Sequence, residues 1–212
     1  MISRLRDLIP EPALRRLPWY LAYVSLLRQR GVEYVSSTGI SRGINVDASQ
    51  IAKDLSFLDI KGKTRIGYEV KLLEHKLEEF LGFRRRHNAA IVGVGSLGRA
   101  LMSDSGLANY GLEIVAGFDV SPALIGTSTP QGLPIYDVAE LATRARQLEV
   151  EIGIVTVPVE YAQEAADEII AAGMKAIWNF TPYRIMAPDD VVISNTSIYA
   201  HLAVMYNRML SK

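Results

Sequence analysis

Ile91-Val92-Gly93-Val94-Gly95-Ser96-Leu97-Gly98 lies between the apolar run Ala89 to Val92 and the helix-forming run Arg99-Ala100-Leu101-Met102. The order reads strand, tight turn, helix. Gly93, Gly95 and Gly98 fall in the G-x-G-x-x-G spacing. In that spacing the first glycine permits the turn, the second lets a pyrophosphate approach the backbone, and the third lets helix pack on strand. By itself the pattern also fits an ordinary glycine-rich turn. It gains weight from a second apolar run, Leu112 to Phe118, which ends in Asp119 roughly 20 residues after the last glycine, where an acidic residue holds the adenosine ribose hydroxyls. The spacing predicts a nucleotide site on Gly93, Val94, Gly95, Ser96, Leu97, Gly98 and Asp119.

Beyond Asp119 the chain alternates. Pro122 to Pro134 is a Gly/Pro/Thr-rich connection, Val138 to Leu148 reads as helix and Ile152 to Val157 as strand. Tyr161 to Ala172 reads as a helix stopped by Gly173, and Ala176 to Phe180 as a further strand. Such alternation predicts an α/β, doubly wound parallel sheet with helices on both faces. Ligands in these sheets lie beyond the carboxyl ends of the strands. Thr156-Val157-Pro158 and Asn179-Phe180-Thr181-Pro182 are then either ligand-facing edges or plain strand terminators. Thr196 to Leu210 reads as a final helix with Ile198, Leu202, Met205, Tyr206 and Met209 on one stripe, which would cover its own sheet or pack on another subunit.

The 212 residues are 49% hydrophobic and 22% charged, enough for one large or two modest cores. There is no cysteine, which excludes disulfides, thiolate metal sites and thiol redox chemistry. The opening Met1-Ile2-Ser3-Arg4-Leu5-Arg6 lacks the apolar core of a signal peptide, and no stretch has the length to cross a bilayer, so no membrane association and a cytoplasmic location are expected. A net charge of zero hides an asymmetry. Residues 1–86 carry 16 Lys and Arg against 10 Asp and Glu, and residues 87–212 carry 7 against 13. The basic half suits a polyanionic partner, or is simply a solvated surface.

In that half, Pro18 to Arg30 has apolar residues on one helical face, with Gly31 as its stop. Pro18 is expected in the first turn, which leaves Pro12 to Leu17 as a separate turn. A short strand, Val32 to Val35, leads through a Ser36 or Ser37 cap to a brief helix over Gly39 to Ile44 and a turn at Asn45-Val46. Asp47-Ala48-Ser49-Gln50 matches a capping box that opens a helix to about Leu58. Helix, turn, capped helix is a helix-turn-helix pattern. Ile51, Leu55 and Leu58 would face inward, leaving Ser49, Gln50 and Lys53 to reach base edges, since Gln suits adenine and Lys suits guanine. The basic segment Lys61-Gly62-Lys63-Thr64-Arg65-Ile66-Gly67-Tyr68 then reads as a wing, with Lys61, Lys63 and Arg65 for phosphates or a minor groove. Leu73, Leu77, Phe80 and Leu81 mark a short amphipathic helix.

Hydride transfer usually needs a positioned acid or base. His75, His87 and His201 follow no strand of the sheet, Lys175, Tyr161 and Tyr183 form no constellation, and no Asp/Glu/His spacing suggests a metal. No catalytic residue and no metal ligand is assigned, so the nucleotide reads as a signal.

Taken together these residues resemble the Rex family of redox-sensing transcriptional repressors over nearly the whole chain. The similarity rests on Leu17-Pro18-Trp19-Tyr20, Val35-Ser36-Ser37, Gln50-Ile51 with Lys53-Asp54-Leu55-Ser56, and Gly67-Tyr68. It continues through Gly93 to Gly98, Phe118-Asp119, Thr156-Val157-Pro158 with Ala162-Gln163, and Asn179-Phe180-Thr181-Pro182. The resemblance implies a winged-helix domain over 1–84, a Rossmann NAD(H) domain over 85–195, and a helix over 196–212 exchanged between the subunits of a homodimer. It implies a pseudo-palindromic operator bound when NADH is low and released when NADH rises. It also places Val157, Pro158, Asn179 and Phe180 near the nicotinamide, and Gln50 and Lys53 on the operator.

The chain departs from the family pattern in four places. Ala52 stands where the recognition helix usually has arginine, a change that bears on operator preference. Ala22, Asp104 and Ser197 stand where some members have the Arg, Tyr and Asp that couple nicotinamide state to dimer geometry. A divergent regulator that reads another nucleotide, or none, is therefore one alternative, and a small NAD-dependent oxidoreductase with a basic extension is another.

Overall fold

The computed structural model describes residues 9–211, which divide into two compact units meeting between Arg85 and Arg86.

The first unit opens with helix α1, Glu11–Gln29. It is one helix, and the separate turn expected before Pro18 is not formed. Pro12 takes the first turn, and Pro18 lies inside the helix. An interior proline costs about 3 kcal/mol, but Leu17, Tyr20, Leu21, Val24 and Leu27 are all buried along one face. Each fully buried large apolar side chain contributes roughly 1.5–3 kcal/mol, so burial wins over the proline. Strand β1 (Tyr34–Val35) precedes helix α2 (Ser37–Ile44), whose N-cap Ser36 accepts a hydrogen bond from Gly39 N–H. Asn45, left-handed at φ 54°, ends α2 and turns the chain into α3, Ala48–Leu55, continued by a short 3-10 turn, Ser56–Leu58. Strand β2 (Tyr68–Glu69) pairs antiparallel with β1, and α4 (Val70–Leu81) closes the unit. Ile40, Ile51, Leu55, Leu58, Leu73, Leu77 and Phe80 complete the core around α1.

The second unit is a six-stranded, all-parallel sheet. Its strands are β3 (His87–Val92), β4 (Leu112–Asp119), β5 (Ile135–Asp137), β6 (Val150–Val155), β7 (Ala176–Asn179) and β8 (Val192–Asn195), in the order β5-β4-β3-β6-β7-β8. The order reverses direction at β3 and β6, so a crevice opens at their carboxyl ends. Side chains alternate across the sheet. Ala90, Val92, Ala116, Phe118 and Val155 pack with α6 (Leu141–Gln147) and α7 (Ala162–Ala171) on one face, while Ala89, Ile91, Ile114 and Ile154 pack with Met102 of α5 (Ser96–Ser103) on the other. Strands β5 and β8 were not foreseen. Helix α8, Ile198–Leu210, is capped by Ser197 and buries none of its residues.

The fit between β6 and α7 is tight. A Cβ on Gly153 would lie 2.6 Å from Ile169, which is fully buried. Gly153→Ala is expected to cost about 1–3 kcal/mol through overpacking, read as a lowered urea midpoint of the full chain.

Candidate functional site

The crevice at the sheet switch is built by the glycine loop. Gly93 turns at φ +94°, and a Cβ there would lie 2.7 Å from Val157 Cγ1. At Gly98 a Cβ would come within 2.3 Å of the Gly93 carbonyl oxygen, so only glycine lets α5 start this close to β3. Gly95 differs: a Cβ would meet nothing within 4 Å, which leaves its backbone face open at the N-terminus of α5. Ser96 and Leu97 are exposed beside it, whereas Val94 is fully buried and belongs to the core. The first N–H groups of a helix have no intrahelical acceptor, so an open glycine at that point suits an anion.

Asp119, at the end of β4, braces the loop as well as facing the crevice. Its Oδ2 accepts from Val94 N–H at 2.6 Å and its Oδ1 from Ser121 N–H at 2.8 Å, and it lines a groove of about 490 Å³. Val92, Gly93, Phe118, Val157, Pro158 and Ala165 line that groove together with Val120, Val138, Tyr161, Glu164 and Glu168. Thr156 Oγ1 donates to the Gly93 carbonyl at 2.7 Å and ties the loop to β6.

Two expected contact residues behave differently. Asn179 is fully buried. Its Nδ2 donates to the Tyr183 carbonyl and to Asn195 Oδ1, while its Oδ1 accepts from Thr181 N–H and Oγ1. With its amide saturated in this way, Asn179 shapes the edge of the sheet and offers no free polar atom to a ligand. Phe180 packs on Trp178 at 4.7 Å between ring centroids and is not among the residues lining the groove.

In the first unit, α2, the Asn45 turn and α3 form the helix-turn-helix. Asp47 caps α3, accepting from Ser49 N–H, Ser49 Oγ and Gln50 N–H, and these bonds, that of the Ser49 hydroxyl foremost, lower its carboxyl below the usual range. The reciprocal half of the expected capping box is not made. Gln50 Nε2 instead donates to Asp54 Oδ1 one turn later, at 2.8 Å. Lys53 is exposed on the same helix.

The wing is a turn in which Lys63 and Gly67 exchange backbone hydrogen bonds of 2.8 and 2.9 Å. Gly67, at φ +106°, would put a Cβ 2.4 Å from the Val35 carbonyl oxygen, so the wing lies flush on β1 only because this residue is glycine. Lys61 and Arg65 are exposed. Lys63 is engaged: its Nζ donates to Tyr34 Oη and lies 4.6 Å from that ring's centroid, and the Tyr34 bond raises its pKa.

Two family models match the sequence, a CoA binding domain over residues 84–183 and a putative DNA-binding protein N-terminus over residues 8–56. The Redox-sensing transcriptional repressor Rex of Bacteroides fragilis is 58% identical over 95% of this chain and 91% of its own length. That of Porphyromonas gingivalis is 57% identical over 99% and 95%. The chain belongs to the Rex family. A crystal structure of RSP in complex with β-NAD+ and operator DNA matches with a TM-score of 0.91 at 32% identity, covering 95% of this chain and 93% of RSP. RSP is a Rex-family repressor, and its complex with β-NADH matches with a TM-score of 0.85.

Within this Rex chain the four departures have definite places. Asp104 ends α5, and its Oδ1 accepts from Gly106 and Leu107 N–H. Ser197 caps α8 by accepting from Ala200 N–H, and Ala22 and Ala52 are exposed on α1 and α3. Asp104 and Ser197 are thus absorbed in local capping. The candidate acid-base groups are scattered as well. Tyr161 lines the groove, but His87 and Lys175 both pair with Glu151 at the amino edge of the sheet, and the His87 bond first lowers that carboxyl. No cluster of metal-ligating side chains occurs among the described residues, and no helix among them is long and apolar enough to cross a membrane.

Reading the sequence alone missed Val120, Val138, Glu164, Ala165 and Glu168. Val138 follows a three-residue strand with no periodicity to reveal it. Ala165 and Glu168 look like ordinary positions of an amphipathic helix until α7 is seen beside the groove.

Proposed function

We propose that this chain is a repressor that binds a pseudo-palindromic operator as a homodimer when NADH is low and leaves it when NADH rises, without catalytic turnover. The reading is carried by one juxtaposition: a glycine-loop groove closed by Asp119 and a capped recognition helix occur in a single chain that superposes nearly end to end on a repressor solved with β-NAD+ and operator DNA. Gly95 with the start of α5 would seat the pyrophosphate, and Asp119 has lone pairs left for the adenosine ribose. Val157 and Pro158 line the same groove as Asp119 and would wall the bound dinucleotide, toward the nicotinamide by the family resemblance. Carboxylates at Asp119, Glu164 and Glu168 disfavour a 2′-phosphate, so NADP(H) is expected to bind poorly. On the DNA side, Lys53 would reach a base edge beside Gln50, and Lys61 and Arg65 would meet phosphates or a minor groove, with Lys63 held back on Tyr34.

Helix α8 supports a dimer. Ile198, Met205, Tyr206 and Met209 are 47–66% exposed along one side, a large unpartnered apolar stripe that a second copy would cover by exchange.

Gel-shift titration against an inverted-repeat operator tests the reading, with NADH expected to weaken binding more than NAD+. A weaker redox response is a second reading, favoured by Asp104 and Ser197 being used as caps. A ligand moves a two-state equilibrium only through its differential affinity for the two states. Equal effects of NADH and NAD+ would select this second reading, and no operator binding at all would overturn both.

A further inference from the structure

We infer that Asp54, held by Arg16 and Tyr20, is a positioning residue that fixes the Gln50 side-chain amide in the one orientation that reads adenine. This rests on the proposed role of α3 as the recognition helix and extends it to the origin of base choice.

Asp54 lies on α3 but is 1% exposed. Arg16 Nε donates to its Oδ2 at 2.7 Å and Arg16 Nη2 to its Oδ1 at 2.9 Å, both from α1, and Tyr20 Oη donates to Oδ2 at 2.6 Å. The fourth bond comes from Gln50 Nε2, at 2.8 Å to Oδ1. Burial pushes the Asp54 carboxyl up, but the bonds from Arg16, Tyr20 and Gln50 outweigh it and leave the group below its ordinary range. Asp54 is therefore an ionised acceptor at neutral pH, with nothing to donate.

A glutamine amide has two nearly identical ends, and its orientation is set by what it touches. Opposite a carboxylate only the NH2 end makes a bond. One N–H is thereby consumed, and the other N–H and the Oε1 acceptor remain for a ligand. Adenine presents N7 as acceptor and N6–H as donor in the major groove, which is the complement of that remaining pair. Guanine presents two acceptors, N7 and O6, and would leave Oε1 facing another acceptor. The network that docks α3 on α1 thus also removes the flipped amide from the free protein, so its ordering cost is met before DNA arrives.

The test uses the full chain and a duplex selected from a randomised inverted-repeat pool. The base read by Gln50 is the one whose preference disappears in Gln50→Ala. At that base the wild type is expected to prefer adenine over guanine by about 10-fold or more. Asp54→Asn, which keeps the side-chain volume but lets the Gln50 amide turn, should cut that preference several-fold there and little elsewhere. In the Gln50→Ala background it should change base preference no further. Tyr20→Phe removes a bond to Oδ2 and leaves the Gln50 bond to Oδ1 intact, so it should lower stability and spare the preference. If Asp54→Asn fails to fold, side-chain amide NMR of the DNA-free wild type decides: one Gln50 Nε2 proton shifted and protected supports the assignment, and two averaged, fast-exchanging protons overturn it. A uniform loss of affinity across all bases in Asp54→Asn overturns it too, while leaving the DNA reading intact. Failure of the wild type to select any duplex sinks both.

Discussion

Asp54→Ala is expected to destabilise the first unit by about 3 kcal/mol, the cost of removing one partner from a buried ion pair. The carboxylate is 1% exposed and its Arg16 partner 22%, so the guanidinium and the Tyr20 hydroxyl would both lose their acceptor in a space too dry to replace it fully. The effect has a pH signature. Asp54 titrates below its unfolded value of about 3.9, so its contribution is complete above that pH and fades as pH falls through the lowered folded value. The gap between wild type and Asp54→Ala should therefore be constant from pH 5 to 8 and close below about pH 4. Tyr20 behaves oppositely. Burial first, then its bond to Asp54, push its hydroxyl up to about 12, so its contribution holds below pH ~10 and is lost as pH rises through 12. Urea unfolding of the full chain, followed by Trp19 fluorescence in a Trp178→Phe background, isolates this unit. A pH-independent gap would mean that the carboxylate is not the stabilising species.

Gly98→Ala is expected to abolish dinucleotide binding. Its Cβ would sit 2.3 Å from a backbone oxygen and 3.0 Å from Ile91 Cγ2, and neither can yield without opening the loop that Asp119 and Thr156 hold shut. A ligand at 100 times its Kd stabilises the native state by about 2.7 kcal/mol, so the thermal shift that NADH gives the wild type should vanish. Gly95→Ala is the informative companion. With nothing within 4 Å, its methyl should cost the apo protein little, yet it would stand where the pyrophosphate approaches. Unchanged NADH affinity in Gly95→Ala would show that the phosphates sit elsewhere.

Much of this molecule is legible from short-range patterns. The glycine spacing before α5, the apolar strands β3, β4 and β6, the Asp47 cap and the Gly31 and Gly173 stops are local features, and local sterics or burial on a fixed period enforce them. Strand β5 escaped because three residues are too few to show a period, and β8, as short as β7, escaped because it lies at the sheet edge with Val192 68% exposed and buries no residue. Pro18 misled for the opposite reason. A local rule was right about the cost of proline and blind to the core that outweighs it.

The sequence by itself determined the class of the two units, the position of the glycine loop and the capped second helix of the helix-turn-helix, because each depends on neighbours within a few residues. Only the tertiary structure decided which polar groups remain available. Asn179 is spent on Thr181, Tyr183 and Asn195, Lys63 on Tyr34, and Gln50 is held by an aspartate that α1 clamps from 38 residues away. Hydrogen-bond capacity is finite and is filled by whatever the fold brings near, and no spacing along the chain records that.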